Sequence, residues 1–341
     1  MKKGFSFNDF LKNNVAWVIL ALISLIFTFL NPRFLTIRNL TTVLDQNAYL
    51  VVAACGIVLI QMSGNLDISI GYQMSIIGVI VGTLLLKTAL PVFLICIIGI
   101  VIGIAMAVLN CWLAERLKLS WLIVSLATQN IFLGISYLFS GSKTMNGFPQ
   151  GYLDIGQTYI GKAVPLAVII AAVCFIIMNF VLSKTYFGRY IYALGGNEEA
   201  TRLAGINVRL MKYMIAIIAG FFVGLSTLML TSRMGTAQSG IGPGTEFTVI
   251  TAVFLGGVSI RGGEGKLSGV LAGVLLLGVL TNGMQLAGID TYWQSICKGA
   301  LMIGAIAFDV YQLNRRQKVK KEEIAKMEES ALAAEKEKEN K

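Results

Sequence analysis

Apolar residues along this chain fall into long blocks, without the alternation of a half-buried strand or the narrow stripe of a surface helix, and short polar connections separate them. Blocks near the ~20 residues that cross a ~30 Å hydrocarbon core predict membrane-spanning helices. Candidate spans cover residues 14–30, 48–63, 72–86, 91–114, 119–140, 165–182, 211–232, 247–259, 267–287 and 291–310. The expected fold is therefore an all-α polytopic transmembrane helical bundle of about ten helices. Its transmembrane body would run over residues 14–310, between a short N-terminus at 1–13 and a charged tail at 311–341.

Two of these segments are short: at ~1.5 Å per residue, 247–259 reaches about 20 Å and 48–63 about 24 Å. Each runs into a polar, glycine-bearing stretch, at 64–71 and 256–265, and each is followed by a glycine-rich apolar helix. The correspondence predicts a weak internal duplication. Paired interrupted segments also point to a transport pathway, because irregular backbone at depth survives only against protein or water. Two ordinary cytoplasmic turns are the plainer alternative. Glycine pairs one turn apart at Gly78/Gly82, Gly99/Gly103, Gly220/Gly224 and Gly269/Gly273 predict close helix packing within the bundle.

Composition supports the bilayer as solvent: 56% of residues are hydrophobic and 13% charged, against roughly 25% charged in soluble domains. The net charge of +10 would suggest nucleic acid in a soluble protein, but the basic residues lie in short connections and the tail, and no nucleic-acid partner is expected. Of the 28 Lys and Arg, six (Arg33, Arg38, Lys87, Lys143, Lys162 and Arg233) fall on one side of a ten-span bundle and Lys298 within the last span. The remaining 21 fall on the other side, which predicts that both termini are cytoplasmic. Lys2, Lys3 and Lys12 before the first apolar block resemble a secretory signal, but Asn31-Pro32-Arg33 follows without a small-residue cleavage pattern, so an anchored span is expected.

The five cysteines stand singly in apolar stretches and there is no histidine. Zinc binding and Ser/His or Cys/His catalysis are disfavoured, and no metal, cofactor or catalytic residue is expected on this chain. A phosphate-binding GxxxxGK[ST] loop is absent, since Leu267 follows Gly265-Lys266. The spans hold few ionisable groups, with Lys298 inside one and Asp67, Glu246 and Asp309 at edges, which disfavours a proton- or sodium-coupled carrier. If ATP drives transport, a partner hydrolyses it.

The most informative connection is 183–212. Asn197 is a good N-cap, Glu198 and Glu199 suit the positive end of a helix dipole, and Gly205 can end the helix. Ala200, Leu203 and Ala204 share one apolar side at i, i+3, i+4 spacing. A helix of about seven residues is unstable alone, so it docks either on its own bundle or on a cytoplasmic partner.

Residues 185–206, TYFGRYIYALGGNEEATRLAGI, resemble the cytoplasmic coupling loop of ribose/galactose/xylose-type ABC importer permeases, within the branched-chain-amino-acid/monosaccharide permease superfamily. NLDISIG at 65–71 is similar to that family's GGIDLSVG, and LGGVSIRGGEGKLSG at 255–269 to its LGGxSLxGGxGSxxG. Order and spacing agree over 39–309. Asn65 departs from a family glycine, and Thr248 from a usual acidic position.

The resemblance implies two permease copies, identical or not, two ATPase subunits that use ATP and Mg, an extracytoplasmic sugar-binding protein, and a place in the bacterial cytoplasmic membrane. It makes Glu198, Glu199, Ala200, Arg202 and Gly205 the ATPase contact, with Asn197 and Leu203 of the same helix. Asp67, Ser69 and Gly71 become one motif, and Gly256, Gly257, Gly262, Gly263 and Gly265 a glycine turn. For the translocation path, polar groups within spans are candidates: Gln61, Asn110, Thr128, Gln129, Asn130, Asn282 and Gln285. Interhelical hydrogen bonding is the alternative role for each. Alternatives for the whole protein are a permease for nucleosides, an autoinducer or branched-chain amino acids, and an ion-coupled carrier.

Overall fold

A computed structural model describes residues 15–161, 163–311 and 313–315. The chain is nearly all helical. Its helices are α1 (Val15–Leu30), α2 (Ile37–Met62), α3 (Ile70–Lys87), α4 (Val92–Leu117), α5 (Trp121–Ser140), α6 (Gln150–Gln157), α7 (Leu166–Lys184), α8 (Tyr186–Gly196), α9 (Glu198–Leu203), α10 (Val208–Met234), α11 (Thr245–Leu255), α12 (Leu267–Leu286) and α13 (Thr291–Arg315). Among the described residues, eight helices are long and apolar enough to cross a membrane, and α1 and α11 are shorter apolar helices. The segment 1–13 and most of the tail at 311–341 lie outside the described residues.

One sequence-based expectation needs correction. The segment expected to be short at 48–63 is the end of α2, a 26-residue helix of about 39 Å that starts at Ile37. Thr36 caps it, accepting a hydrogen bond from the Asn39 amide at 3.3 Å. Its first turns carry Asn39, Thr41, Thr42, Asp45, Gln46 and Asn47, which hide a helix from any reading based on hydropathy. The other short segment is short indeed: α11 has 11 residues, about 16 Å, and stops where Gly257 turns left-handed at φ 79°.

Burial sorts the helices. α2 and α10 are buried over most of their length, with Val52, Ala53, Val58, Leu59, Ile215 and Ala216 fully enclosed. Helices α4, α5 and α7 present one apolar face outward, including Phe93, Val101, Ile131, Leu138, Ile176 and Phe180. Such a surface matches acyl chains and not water, and the protein is a multi-pass membrane protein.

Close approach replaces bulk at the inner helix contacts. A methyl group at Gly103 of α4 would strike the carbonyl of Gly220 in α10, and one at Gly220 would strike that of Gly103. Gly269 and Gly273 of α12 fit in the same way against Gly256 and Ala252. The predicted role of these spacings in bundle packing holds at both contacts.

Between α5 and α7, and just after α10, the chain forms structure that hydropathy does not announce. Two-residue strands β1 (Met145–Asn146), β2 (Tyr159–Ile160) and β3 (Val164–Pro165), with β4 (Thr236–Ala237) after α10, pair antiparallel as β1 with β4 and β2 with β3. α6 packs on the end of α10. There the fully buried Tyr152 shares a 2.6 Å hydrogen bond with Thr231, and Ser232 donates to the Tyr152 carbonyl at 2.7 Å.

Candidate functional site

At one end of the bundle, the three motifs singled out in the sequence meet. The α2 terminus, the glycine turn after α11 and the end of α8 pack backbone to backbone. The Gly263 amide donates to the Met62 carbonyl at 2.9 Å. Side chains at Gly195 or Gly262 would collide with the same carbonyl, and Gly262 also abuts Gly64. Gly262 and Gly263 have φ of 78° and 73°, in the left-handed region that glycine adopts without strain. Tyr192 of α8 locks the junction by donating its hydroxyl to the Gly265 carbonyl at 3.0 Å, and burial pushes its phenol above the ordinary value.

From this junction projects α9, six residues long. Asn197 caps it, accepting from the Ala200 amide at 2.9 Å, and Gly205 at φ 83° ends it, donating its amide to Arg202. Thr201 is its one buried residue and binds the Asn197 carbonyl at 2.8 Å. The other side points away from the protein: Ala200 and Ala204 are exposed, and Leu203 is 84% exposed. Glu199 is exposed beside them, while Glu198 pairs with Arg202 at 3.2 Å and with Lys212 of α10 at 3.1 Å. The helix therefore docks through Thr201 and leaves its apolar face unpartnered among the described residues.

The irregular segment between α2 and α3 is held by Asp67, which is 2% exposed. One carboxylate oxygen accepts from the Ser69 amide at 2.8 Å and the Ser69 hydroxyl at 2.6 Å. The other accepts from Asn110 of α4 and the Trp121 indole of α5, both at 3.2 Å. Gln73 and Asn110 also donate to the Ser69 oxygen at 2.9 Å, and Ser125 accepts from the Ile68 amide. Asn65 stays local, reaching Ser63. Gly71, at the start of α3, packs against Gly242 in the segment leading into α11, where Glu246 is buried and accepts from the Gly244 amide.

A cavity of about 330 Å³ opens between α2, α10, α11, α12 and α13, lined by Gln46, Asn47, Tyr49, Arg233, Thr248, Thr281, Gln285 and Lys298 among others. Asp45 lies beside it in a 2.8 Å ion pair with Arg233, so the carboxylate that α2 carries is neutralised inside the chain. Lys298 has no ion-pair or hydrogen-bond partner among the described residues.

Of the polar residues proposed for a path, Gln285 lines this cavity. Asn110 is taken up by the Asp67 network, and Asn282 exchanges two hydrogen bonds with Asn39 at 2.8 and 3.0 Å. Gln61 and Thr128 are buried, Gln129 is half-buried, and Asn130 is exposed on α5. Sequence reasoning missed Gln46, Asn47, Thr281 and Arg233, which come from five-helix convergence. It also missed Trp121, because its partner Asp67 lies 54 residues away in sequence and nothing local announces the bond. Among the described residues, no three His, Cys, Asp or Glu side chains come together in a way that could hold a metal ion.

The chain matches the family described as branched-chain amino acid transport system / permease component over residues 39–306. It is 31% identical over 312 residues to a ribose import permease protein of Haemophilus influenzae, covering 90% of this chain and 96% of the relative. A galactose/methyl galactoside import permease protein of Escherichia coli is 31% identical over 337 residues, covering 92% and 98% of the two chains. A D-allose transport system permease protein of the same organism is 32% identical over 310 residues, covering 90% and 94%. No solved structure matches the chain. The chain belongs to this permease family.

Proposed function

We propose that this family member is the membrane-spanning permease subunit of an ABC importer, translocating a monosaccharide that an extracytoplasmic binding protein delivers and that partner ATPases drive. The observation that carries the proposal is the exposed Ala200, Leu203 and Ala204 face of α9, raised on the junction of three motifs. A six-residue helix with an unpartnered apolar face needs a covering partner, and Leu203 is the knob such a partner would take.

On this reading both termini are cytoplasmic, α1 and α11 join the eight long helices as crossings, and the loop 183–212 faces the cytoplasm of a bacterial cell. The bundle at 14–310 acts with a second permease copy, and ATP and Mg are used by the ATPase alone. Asn197, Glu198, Glu199, Ala200, Arg202, Leu203 and Gly205 form the docking helix. The glycine turn and the Asp67 motif are its footing, and the two helix–glycine turn–helix units are an internal repeat. The cavity is the solute's route: its volume suits a single sugar ring, and amides, hydroxyls and Lys298 supply the donors and acceptors that hydroxyl groups need. Relatives named for ribose, galactose and allose favour a monosaccharide over nucleosides or amino acids.

Uptake of labelled ribose, galactose and allose into vesicles, with and without the ATPase, tests the proposal. Uptake should require the ATPase and ATP. Uptake driven by a sodium or proton gradient in vesicles lacking the ATPase would contradict it.

A further inference from the structure

We propose that Lys212 is the pin through which motion of α9 enters the bundle, so that it positions the docking helix on a lever formed by α10 and α4. The inference rests on the ATPase-docking role of α9. Lys212 sits in the first turns of α10 with its side chain 13% exposed, and its ammonium bridges two carboxylates. Glu198 of α9 lies at 3.1 Å and Glu115, near the end of α4, at 2.9 Å. Lys212 is therefore a charged contact shared by three helices. The other side-chain hydrogen bonds and ion pairs of α9, from Asn197, Thr201 and the exposed Glu198–Arg202 pair, close within the helix and its cap.

Beyond the pin, the structure continues as one body. Gly103 of α4 and Gly220 and Gly224 of α10 bring the two backbones into contact, with no side chain between them to yield. α10 then runs about 32 Å from Lys212 to Arg233. At that end Leu230, Arg233 and Met234 line the cavity, and Arg233 holds Asp45 of α2. A displacement of α9 pulls Lys212 and Glu115 together, because the ammonium cannot follow one carboxylate without leaving the other. The same helix that receives the pull shapes the cavity wall.

A structural ion pair and a coupling pin differ in what their loss does to the link between hydrolysis and uptake. The complete importer, permease with ATPase and binding protein, is reconstituted in proteoliposomes as wild type, Lys212→Gln, Glu115→Gln and Lys212→Arg. ATPase co-purification, ATP hydrolysis and solute uptake are measured on each. With both arms of the bridge lost in Lys212→Gln and the α4 arm lost in Glu115→Gln, both variants should keep the ATPase and hydrolyse ATP at near the wild-type rate. Uptake should fall about fivefold or more, raising the ATP consumed per solute by the same factor. Lys212→Arg, which keeps the charge, should restore most of the uptake. Hydrolysis and uptake that fall in proportion, or an unchanged ratio, overturn the pin alone. A wild-type chain that recruits no ATPase overturns the docking role of α9 and the pin with it.

Discussion

Replacing Asp67 by Asn is nearly isosteric, yet it should be among the more damaging single changes in the bundle. The carboxylate accepts four hydrogen bonds, from the Ser69 amide, the Ser69 hydroxyl, Asn110 and Trp121. An amide can keep the Ser69 pair on its oxygen, but its NH₂ then faces the donors of Asn110 and Trp121. Two buried donors without acceptors cost about 1–3 kcal/mol each, so Asp67→Asn should destabilise by about 2–6 kcal/mol. Trp121→Phe removes one donor and leaves the carboxylate three. Its loss should lie near ~0.6 kcal/mol and below ~2, the range for single hydrogen bonds between membrane helices. Denaturant titration of the purified protein in mixed micelles measures both, and maleimide labelling of Cys111, fully buried on α4 next to Asn110, reports local release. The expected order is Asp67→Asn far above Trp121→Phe, with faster labelling in the former. Equal effects, or an Asp67→Asn change within ~0.5 kcal/mol, would refute the acceptor role.

Arg233→Gln strips the partner from Asp45, which is 7% exposed, and should cost about 3–5 kcal/mol in the same titration, while Asp45→Asn/Arg233→Gln should recover much of it. Gly195→Ala drives a methyl into the Met62 carbonyl and the Gly263 amide and should cost about 1–3 kcal/mol or reduce yield, while Gly196→Ala, with open space around it, should be near neutral. Burial raises the Tyr192 phenol, so its neutral form contributes stability that is full below the ordinary value of 10.0 and is lost as pH climbs from there through the higher folded-state value. Tyr192→Phe should therefore narrow the stability gap to wild type at strongly alkaline pH, which thermal scans over a pH series can follow.

The bundle was legible because each span repeats one physical requirement, an apolar block of bilayer length. The cap and the apolar face of α9 were legible for a similar reason, since both depend on neighbours within a few residues. Hydropathy failed where polar residues face protein. The first turns of α2 carry Asn39, which binds Asn282, and Asp45, which binds Arg233, and neither partner is near in sequence. The cavity was illegible for the same reason: Gln46, Thr281 and Lys298 converge only once five helices are packed. The glycine motifs announced tight turns, but nothing local tells that Met62, Gly195 and Gly263 share one contact.

The central claim is that the outward face of α9 docks a motor. A photocrosslinker placed at position 203 in the complete importer, in native membranes, tests it most directly. The predicted result is a crosslink to the ATPase subunit that weakens when Ala200→Asp is added on the same face. Crosslinks confined to lipid, to this chain's own helices or to the extracytoplasmic binding protein would contradict it.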